Sequence, residues 1–304
     1  MNVPIWLWAA SVGVVLVLLA VDLLTSRGNG EISMRQAWIK SGIWVSLGIA
    51  FGFVILGLYT PEYAAEYWSG FLTEKALSID NVFVWALIFT SFQVPRRFQY
   101  RVLFLGVVGA IILRAIFIAV GAQLIHTFAW VLYIFAAFLI YSGIRMLLSS
   151  GHEKSPTDSK FLKLFTKLVR TSDEFHEGKF LVKIDGKTYA TRLLVVLALV
   201  EFTDVLFAVD SIPAVFAVTD EPYIVFTSNV FALLGLRSLY FVLADLVHRF
   251  IYLKYGLSAV LIWVGAKMAL HDVVKIPTAL SLSVIALTIT VSIVASIRAT
   301  RAKN

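Results

Sequence analysis

Cysteine is missing from the sequence altogether. Its absence excludes disulfide bonds, thiolate metal ligands and a thiol nucleophile in this chain. Charged residues are also scarce, at 15% of 304 positions, whereas hydrophobic residues make up 60%. A soluble domain has about 25% charged residues, and the mean hydropathy here is +0.87. This composition excludes a soluble globular protein and indicates a membrane protein.

Several catalytic and recognition motifs are missing too. The sequence lacks Walker A, Cys-x-x-Cys and His-Glu-x-x-His patterns, and the Gly-x-Gly-Asp pattern of intramembrane aspartyl proteases. Arrays typical of nucleic-acid binding, such as helix-turn-helix or zinc-finger patterns, are also absent. We therefore expect no enzyme activity, no nucleic-acid partner and no resident cofactor. Transport by such a chain would use a gradient rather than ATP.

Long apolar stretches dominate what is present. Because lipid cannot satisfy backbone polar groups, a chain that crosses the bilayer forms helices of about 20 residues. The pattern predicts an all-α polytopic membrane protein with about nine transmembrane helices. They are expected at residues 5–24, 38–59, 71–92, 102–123, 128–148, 192–217, 224–246, 251–271 and 277–297.

Basic residues fall at alternate connections between these spans. Arg27, Arg96 and the loop 149–191 are on one side, while the acidic Glu62 and Asp220 are on the other. The positive-inside rule then places the N-terminus outside and the C-terminus in the cytoplasm. The first apolar run has no Lys or Arg before it, unlike a cleavable signal peptide, so we expect the first helix to be retained. The expected location is the bacterial inner (cytoplasmic) membrane.

Two polar motifs interrupt the apolar runs. Thr73-Glu74 is followed after five residues by Asp80-Asn81, and Thr203-Asp204 is followed at the same spacing by Asp210-Ser211. The two motifs are 130 residues apart. An intramembrane carboxylate costs a few kcal/mol unless it is paired, protonated or bound to a cation. The motifs are therefore predicted to be halves of one site.

The similarity between the two halves extends beyond the acids. Arg114-Ala-Ile-Phe resembles Arg237-Ser-Leu-Tyr, and the pattern ending in His126-x-Phe resembles the pattern ending in His248-x-Phe. Further along, Ala137, Ile140, Gly143 and Met146 match Ala259, Ile262, Gly265 and Met268. Since each unit has three spans, the second copy is inserted upside down. Spans 3–5 and 6–8 then form an inverted repeat, which is typical of transporters with a central substrate site.

The repeat divides the chain into five regions. These are two N-terminal helices at 1–60, the first repeat at 61–148, a basic cytoplasmic loop at 149–191, the inverted second repeat at 192–272, and the last helix with its basic tail at 273–304. Within the loop, residues 160–170 predict an amphipathic helix on the inner membrane surface. Residues 180–190 predict a hairpin that turns at Asp185-Gly186. A solvated linker is the alternative interpretation of this loop.

The polar motifs offer oxygen ligands only, which suit hard cations such as Mg²⁺, Ca²⁺ and Mn²⁺. The predicted metal ligands are Glu74, Asp80, Asn81, Glu201, Asp204, Asp210 and Ser211. If every mid-membrane charge faces one cavity, these five acids and the bases Lys75, Arg114 and Arg237 leave a formal charge of −2. One divalent cation or two protons would balance that charge. The three bases are predicted to act in gating or as counter-charges, with structural ion pairs as the alternative.

One helix break is expected beside the site. Pro213 follows Asp210 by three residues and cannot donate a hydrogen bond to the carbonyl of Val209. Free carbonyls at a helix break bind hard cations in transporters. The sequence therefore predicts a break of the sixth span at Asp210–Pro213.

These motifs carry a family resemblance. The segments Glu74–Phe83, Arg114–Phe117 and Glu201–Ala214 resemble the TerC family of integral membrane proteins, especially its Alx-like branch. The family is named for tellurium resistance, although nothing in these residues recognises an oxyanion over a cation. The resemblance implies export of Mn²⁺ as the transported substrate. Manganese rather than another divalent ion rests on that resemblance alone.

Two functions follow from these observations. The first is a transporter for metal homeostasis, which exports Mn²⁺ across the lipid bilayer by proton exchange through a central carboxylate site. The alternative is a membrane-protein assembly or metal-loading factor that partners secretion or membrane-assembly machinery and transports nothing itself. The sequence leaves the transport direction, the stoichiometry and the oligomeric state open.

Overall fold

The computed structural model is almost entirely helical. It describes residues 1, 3–25, 33–128, 130–148, 160–172, 174–243, 252–270, 273–274 and 276–301, without the side chains of Asp80, Phe83, Lys160, Thr278, Ala279 and Arg301. The helices are α1 Ile5–Thr25, α2 Met34–Leu58, α3 Pro61–Ser91, α4 Arg96–Thr127, α5 Val131–Leu148, α6 Lys160–Leu168, α7 Arg192–Phe216, α8 Pro222–Leu233, α9 Leu236–Leu243, α10 Leu253–Ala269 and α11 Thr278–Arg301. Two strands, β1 Leu181–Ile184 and β2 Lys187–Ala190, form an antiparallel hairpin.

Local signals set where several helices begin. α2 starts with a capping box, in which Ser33 Oγ accepts a hydrogen bond from the Gln36 N–H at 3.3 Å and Gln36 Oε1 accepts one from the Ser33 N–H at 3.2 Å. Pro61 and Pro222 occupy the first positions of α3 and α8. Proline is favoured there because its missing N–H would have no partner within the helix. Every apolar stretch predicted to be a span contains a helix.

Five of these helices are long and apolar enough to cross a membrane: α1, α2, α4, α5 and most of α11. α8 and α9 qualify together as one bent pair. α3 and α7 fall short because every stretch of 18 residues in them holds at least three charged residues, and α10 has only 17 residues. The fold is therefore all-α and polytopic, with five candidate spans, or six with the bent pair.

One end of the bundle is defined by contacts near the chain's start. The ammonium group of Met1 bonds to Glu221, just before α8. Thr219, just after α7, donates a hydrogen bond to Glu66 near the start of α3 at 2.6 Å. We call this the N-terminal end of the bundle.

The opposite end carries the loop between α5 and α7. The Tyr100 hydroxyl donates to the Leu23 carbonyl at 3.3 Å, which brings the start of α4 to the end of α1. Arg101 then donates to the Gly178 carbonyl of the loop at 3.1 Å. We call this the loop end. Successive long helices thus run in alternating directions between the two ends.

α3 and α7 lie at the centre of the bundle, with α4 against α7, α8 against α3, and α5 along α10. The α5–α10 contact is reciprocal. A Cβ atom added at Gly143 would lie 2.7 Å from Ile262 Cγ1, and one added at Gly265 would lie 2.9 Å from Ile140 Cγ1. In both cases a carbonyl oxygen of the facing helix would lie at 2.9 Å. The matching residues of the two halves therefore pack against each other, and only glycine fits at the closest points.

The predicted break in α7 is wrong. α7 continues from Arg192 to Phe216 with Pro213 inside it. Pro213 lies in the last turn, so its ring removes one hydrogen bond while the turn still closes through Ala217 N–H to the Pro213 carbonyl at 2.9 Å. The chain breaks instead between α8 and α9, which are bent by 44°. Gly235 lies at this break with a φ of +81°, a conformation that favours glycine.

The loop contains the predicted helix and hairpin. Asp185 and Gly186 form the turn with φ values of +49° and +74°, as a two-residue hairpin turn requires. In α6, the ring of Phe161 stacks on Phe202 of α7 with centroids 4.2 Å apart. Part of the apolar face of α6 is therefore covered by α7, while Leu168 stays 75% exposed.

Candidate functional site

A buried arginine joins the two acidic motifs. Arg114, on α4, is fully buried. Its Nη1 donates to Glu74 Oε1, and its Nη2 lies 3.5 Å from Asp204 Oδ1. Nη1 also donates to Ser211 Oγ at 3.2 Å and to Asn229 Oδ1 at 2.8 Å. Arg114 therefore connects α3, α7 and α8 at one point.

A direct bond between the motifs completes this group. Asn81 Nδ2 donates to Asp204 Oδ1 at 3.3 Å, from the first motif to the second. We name the group the Arg114 cluster and define it as Glu74, Asn81, Arg114, Asp204, Ser211 and Asn229. It includes four of the seven predicted metal ligands, so residues of both motifs do lie together.

The Arg114 cluster carries a formal charge of −1, since two carboxylates share one guanidinium. Glu74 is 0% exposed and Asp204 is 1% exposed. Glu74 Oε2 and Asp204 Oδ2 find no hydrogen-bond partner among the described residues. An unpaired buried carboxylate oxygen is costly in a low-dielectric interior. The cluster thus holds negative charge that its own arginine balances only in part.

Two of the other predicted acids, Glu201 and Asp210, lie outside this network. The Glu201 carboxylate packs on α4 at Gly109, where an added Cβ would lie 2.1 Å from Oε1. Asp210 Oδ1 accepts a hydrogen bond from Ser142 of α5 at 2.8 Å. Asp80 belongs to α3, but its side chain is outside the description. A close approach of Asp80 and Asp210 therefore stays a prediction.

The remaining bases do not face the cluster. The Lys75 ammonium donates to the carbonyls of Ala232 and Leu234, at 2.9 and 3.3 Å. Arg237 Nη2 lies 2.6 Å from Asp22 Oδ2, with its guanidinium 4.1 Å from the centre of the Tyr100 ring. The assumption that all eight charges face one cavity is thus wrong, because Lys75 binds helix carbonyls and Arg237 pairs with α1.

One residue of this region was missed by sequence reasoning. Asn229 is fully buried in α8 and accepts a hydrogen bond from Arg114. Burial of an amide in an apolar span costs free energy unless the amide has a hydrogen-bond partner. The presence of Asn229 in such a span was therefore the signal available in the sequence. Asp22 of α1 is the partner of Arg237. His248, which entered the comparison of the two halves, lies outside the described residues.

A cation at the cluster would find oxygen ligands only. The atoms available are the unpaired Glu74 Oε2 and Asp204 Oδ2, with the amide and hydroxyl oxygens of Asn81 and Ser211 nearby. Among the residues that the structure describes, which leave out the Asp80 side chain, no three Asp, Glu or His groups could hold a metal ion by themselves. A cation would therefore compete with Arg114 for the two carboxylates.

Several known proteins are similar to this chain over almost all of its length. An uncharacterized membrane protein of Myxococcus xanthus is 44% identical over 96% of this chain and 92% of its own length. The protein named "Putative membrane-bound redox modulator Alx" of Escherichia coli K12 is 44% identical over 92% of this chain and 90% of its own. An uncharacterized membrane protein of Rickettsia felis is 41% identical over 95% and 97%. No solved structure matches the chain at a significant level.

The match to a family description extends through both acidic motifs. Residues 59–304 match the sequence model described as integral membrane protein TerC family. This range includes α3 to α11 and every residue of the Arg114 cluster. The chain belongs to the TerC family of integral membrane proteins.

Proposed function

We propose that this protein is a membrane transporter that exports a divalent cation, Mn²⁺, in exchange for protons. The observation that carries the proposal is the Arg114 cluster, in which carboxylates of two repeated motifs share one arginine deep in a helix bundle. Ionisable groups inside a membrane are rare and commonly mark ion pathways or proton relays. Manganese as the ion follows from the family resemblance.

The proposal includes nine membrane crossings and an inverted repeat of α3–α5 and α7–α10. The alternating helix directions support nine crossings. The reciprocal packing of Gly143 on Ile262 and of Gly265 on Ile140 supports a two-fold relation between the halves. In the proposed orientation the N-terminal end of the bundle faces outside, and the loop end faces the cytoplasm of a bacterial inner membrane.

Arg114 is proposed to act as a tethered cation that the substrate displaces. Two unit charges 4 Å apart at an effective dielectric of 20 interact by about 4 kcal/mol. A doubly charged ion between Glu74 and Asp204 therefore gains about twice the attraction of the guanidinium. Ser211 and Asn229 would retain Arg114 when the carboxylates bind the ion, because both already accept hydrogen bonds from it. Protonation of the carboxylates would release the metal.

The name of the Escherichia coli relative refers to redox modulation. This chain has no cysteine, so it has no thiol with which to perform such chemistry. We propose that any redox effect here is indirect and follows from the metal ion that the protein moves.

Flux through purified protein tests the proposal. Mn²⁺ entry into proteoliposomes is followed with a trapped fluorophore that Mn²⁺ quenches, with and without a pH gradient. We expect Asp204→Asn to lower the flux by about a hundredfold, since a lost charge at the site weakens cation binding by several kcal/mol. Asp22→Asn is the matched control, because it removes a buried carboxylate that pairs with the other arginine, and it should retain transport. Wild-type flux in Asp204→Asn would reject the proposal.

One observation favours the alternative of an assembly or metal-loading partner. Leu164 and Leu168 of α6 are 56% and 75% exposed, and an exposed apolar edge suits a protein contact. Replacing both leucines with serine separates the two functions. An assembly factor would lose its effect on manganese tolerance in cells and would show no proteoliposome flux with or without the change, whereas a transporter would keep both its flux and its effect on tolerance.

A further inference from the structure

A second polar region lies at the N-terminal end of the bundle. A cavity of about 290 Å³ opens there between α3, α7 and α10, and its lining includes Glu62, Glu66, Thr219, Asp220 and Lys267. Water occupies about 30 Å³ per molecule. The cavity is therefore large enough for a cation that keeps its first hydration shell.

The charge of this cavity favours cations. Three acids and one lysine line it, which gives a formal charge of −2. Glu66 accepts a hydrogen bond from Thr219 at 2.6 Å, which fixes its carboxylate at the inner part of the lining. A concave surface of one sign raises the local concentration of oppositely charged ions.

Polar side chains lead from this cavity toward the Arg114 cluster along α3. Ser69 and Thr73 follow Glu66 at helical spacing, and Glu74 of the cluster comes next. At 1.5 Å per residue, Glu66 and Glu74 are about 12 Å apart along the helix axis. The row of these residues therefore covers the axial distance between the cavity and the cluster, with Glu74 turned about 100° around the helix from Thr73.

The hydroxyls of this row are unusual. Ser69 and Thr73 are both 0% exposed, and neither Oγ of Ser69 nor Oγ1 of Thr73 has a hydrogen-bond partner among the described residues. Buried hydroxyls in helices commonly bond to a backbone carbonyl four residues earlier, as Ser78 does to Glu74 at 2.7 Å. Two buried hydroxyls one helical turn apart thus keep hydrogen-bonding capacity that the described residues do not use, which a ligand or water satisfies.

Gly70 lies within the row where three helices meet. A Cβ added there would lie 2.9 Å from Ser228 Oγ of α8 and 3.1 Å from Val215 Cγ1 of α7. The helices thus close around a position that has no room for a side chain. This is the narrowest part of the row that the contacts identify.

We propose that the cavity is an outer chamber for a hydrated divalent cation, and that Ser69 and Thr73 line its path to the Arg114 cluster. Gly70 forms the constriction between the cavity and the Arg114 cluster. The inference rests on the proposed transport function, and it adds a second cation site and a route. Ser69 and Thr73 supply hydroxyl oxygens that replace water ligands as the ion passes Gly70.

Cysteine labelling tests the path without measuring transport, because the chain has no cysteine of its own. Single variants Thr219→Cys, Ser69→Cys and Thr73→Cys are prepared in nanodiscs, where both membrane faces are open. The probes are a cationic and an anionic methanethiosulfonate of similar size. Ser296→Cys is the control, because Ser296 is equally buried but lies in α11 and bonds to the Ser292 carbonyl.

We expect the cationic reagent to modify Ser69→Cys and Thr73→Cys at least about tenfold faster than Ser296→Cys, a difference of about 1.4 kcal/mol in barrier. At these two positions the cationic reagent should also react faster than the anionic reagent, and added Mn²⁺ should slow the reaction of the cationic reagent. Adding Gly70→Ala should slow labelling at Thr73→Cys but not at Thr219→Cys. Adding Gly57→Ala, where a Cβ meets nothing within 4 Å, should change neither.

Two results would overturn the inference. In the first, Thr219→Cys is labelled but Ser69→Cys and Thr73→Cys react no faster than Ser296→Cys. The cavity would then not connect to the Arg114 cluster. Equal rates for the two reagents would remove the preference for cations. Either result is compatible with normal Mn²⁺ flux in proteoliposomes, and an absent flux is compatible with normal labelling. The route and the transport function can therefore fail separately.

Discussion

At the scale of single residues, Arg114 decides how the buried charge is held. Its guanidinium contacts Glu74, Asp204, Ser211 and Asn229, which come from three different helices. A buried pair contributes little net stability compared with apolar packing, but removal of one partner leaves an uncompensated charge. The arrangement is therefore best explained by a role for the charges themselves.

Replacing Arg114 with methionine should destabilise the protein strongly. Glu74 and Asp204 would stay buried without a cation, and loss of one partner of a buried pair costs about 3–5 kcal/mol. We expect a clear fall in the unfolding temperature measured by intrinsic fluorescence in detergent. Adding Glu74→Gln to the same chain should recover part of the loss, because it removes one of the unpaired charges.

Arg97→Met is the matched control for this prediction. Arg97 is exposed at the loop end and contacts the Phe98 ring. Exposed charges contribute about 0–1 kcal/mol, so its unfolding temperature should change little. An Arg114→Met protein as stable as Arg97→Met would show that the buried carboxylates do not depend on Arg114.

The sequence predicted that residues of the two motifs lie together, because the motifs share one spacing. Glu201 and Asp204 both lie against α4, whereas Asp210 bonds to α5. The repeat did not predict that Arg114 and Arg237 have different kinds of partner. Asp22, the partner of Arg237, belongs to α1, which lies outside the repeated unit.

At the scale of elements, the break between α8 and α9 has the clearest cause. Gly235 adopts a φ of +81° and ends α8, which leaves the last carbonyls of that helix without helical partners. Lys75 donates to two of them, at Ala232 and Leu234. A cation at a helix C-terminus is also favoured by the helix dipole. Lys75 thus stabilises the break, which is a structural use of a residue predicted to act in gating.

Gly235→Ala should destabilise this break. A non-glycine residue in the left-handed region costs about 1–2 kcal/mol, and the new Cβ would lie 2.4 Å from the Cβ of the buried Trp44. We expect a lower unfolding temperature in detergent. Gly42→Ala in α2, where an added Cβ meets nothing within 4 Å, should be neutral or slightly stabilising. Equal effects of the two changes would contradict this account of the break.

The position of the break was not predictable from residue types alone. Pro213 removes one hydrogen bond near a helix end, where α7 tolerates the loss, whereas Gly235 is one of 18 glycines. Glycine is frequent inside membrane helices, so its presence did not indicate a break. The close contact with Trp44, from a helix almost 200 residues earlier in the chain, identifies Gly235 only in the folded structure.

At the scale of the whole molecule, the two ends of the bundle differ in charge. The N-terminal end has the cavity with Glu62, Glu66 and Asp220. The loop end has Arg97, Arg101 and the basic residues of the loop. The positive-inside rule predicts that the loop end faces the cytoplasm, as proposed above. The proposed outer chamber would then receive the exported ion after it leaves the Arg114 cluster.

This orientation depends on whether α3 and α7 cross the membrane, since every stretch of 18 residues in them holds at least three charged residues, more than in the five candidate spans. Single cysteines at Glu62, Lys163 and Asp220 test independently whether each of the two helices crosses the membrane. Residues 62 and 163 are joined through α3, α4 and α5, and residues 163 and 220 through α7 alone. If one of these helices does not cross the membrane, the two cysteine positions that flank it lie on the same side of the membrane instead of on opposite sides.

We expect a membrane-impermeant maleimide to label Glu62→Cys and Asp220→Cys in intact spheroplasts, because both side chains are exposed at the N-terminal end. Lys163→Cys should react only after the membrane is permeabilised, and Arg298→Cys near the end of α11 should behave like it. Labelling of Lys163→Cys together with Asp220→Cys in intact spheroplasts would show that α7 does not cross. Asp204 would then stay buried beside Arg114 but would not lie on a path across the membrane, and the Arg114 cluster could not be the central site of a transporter.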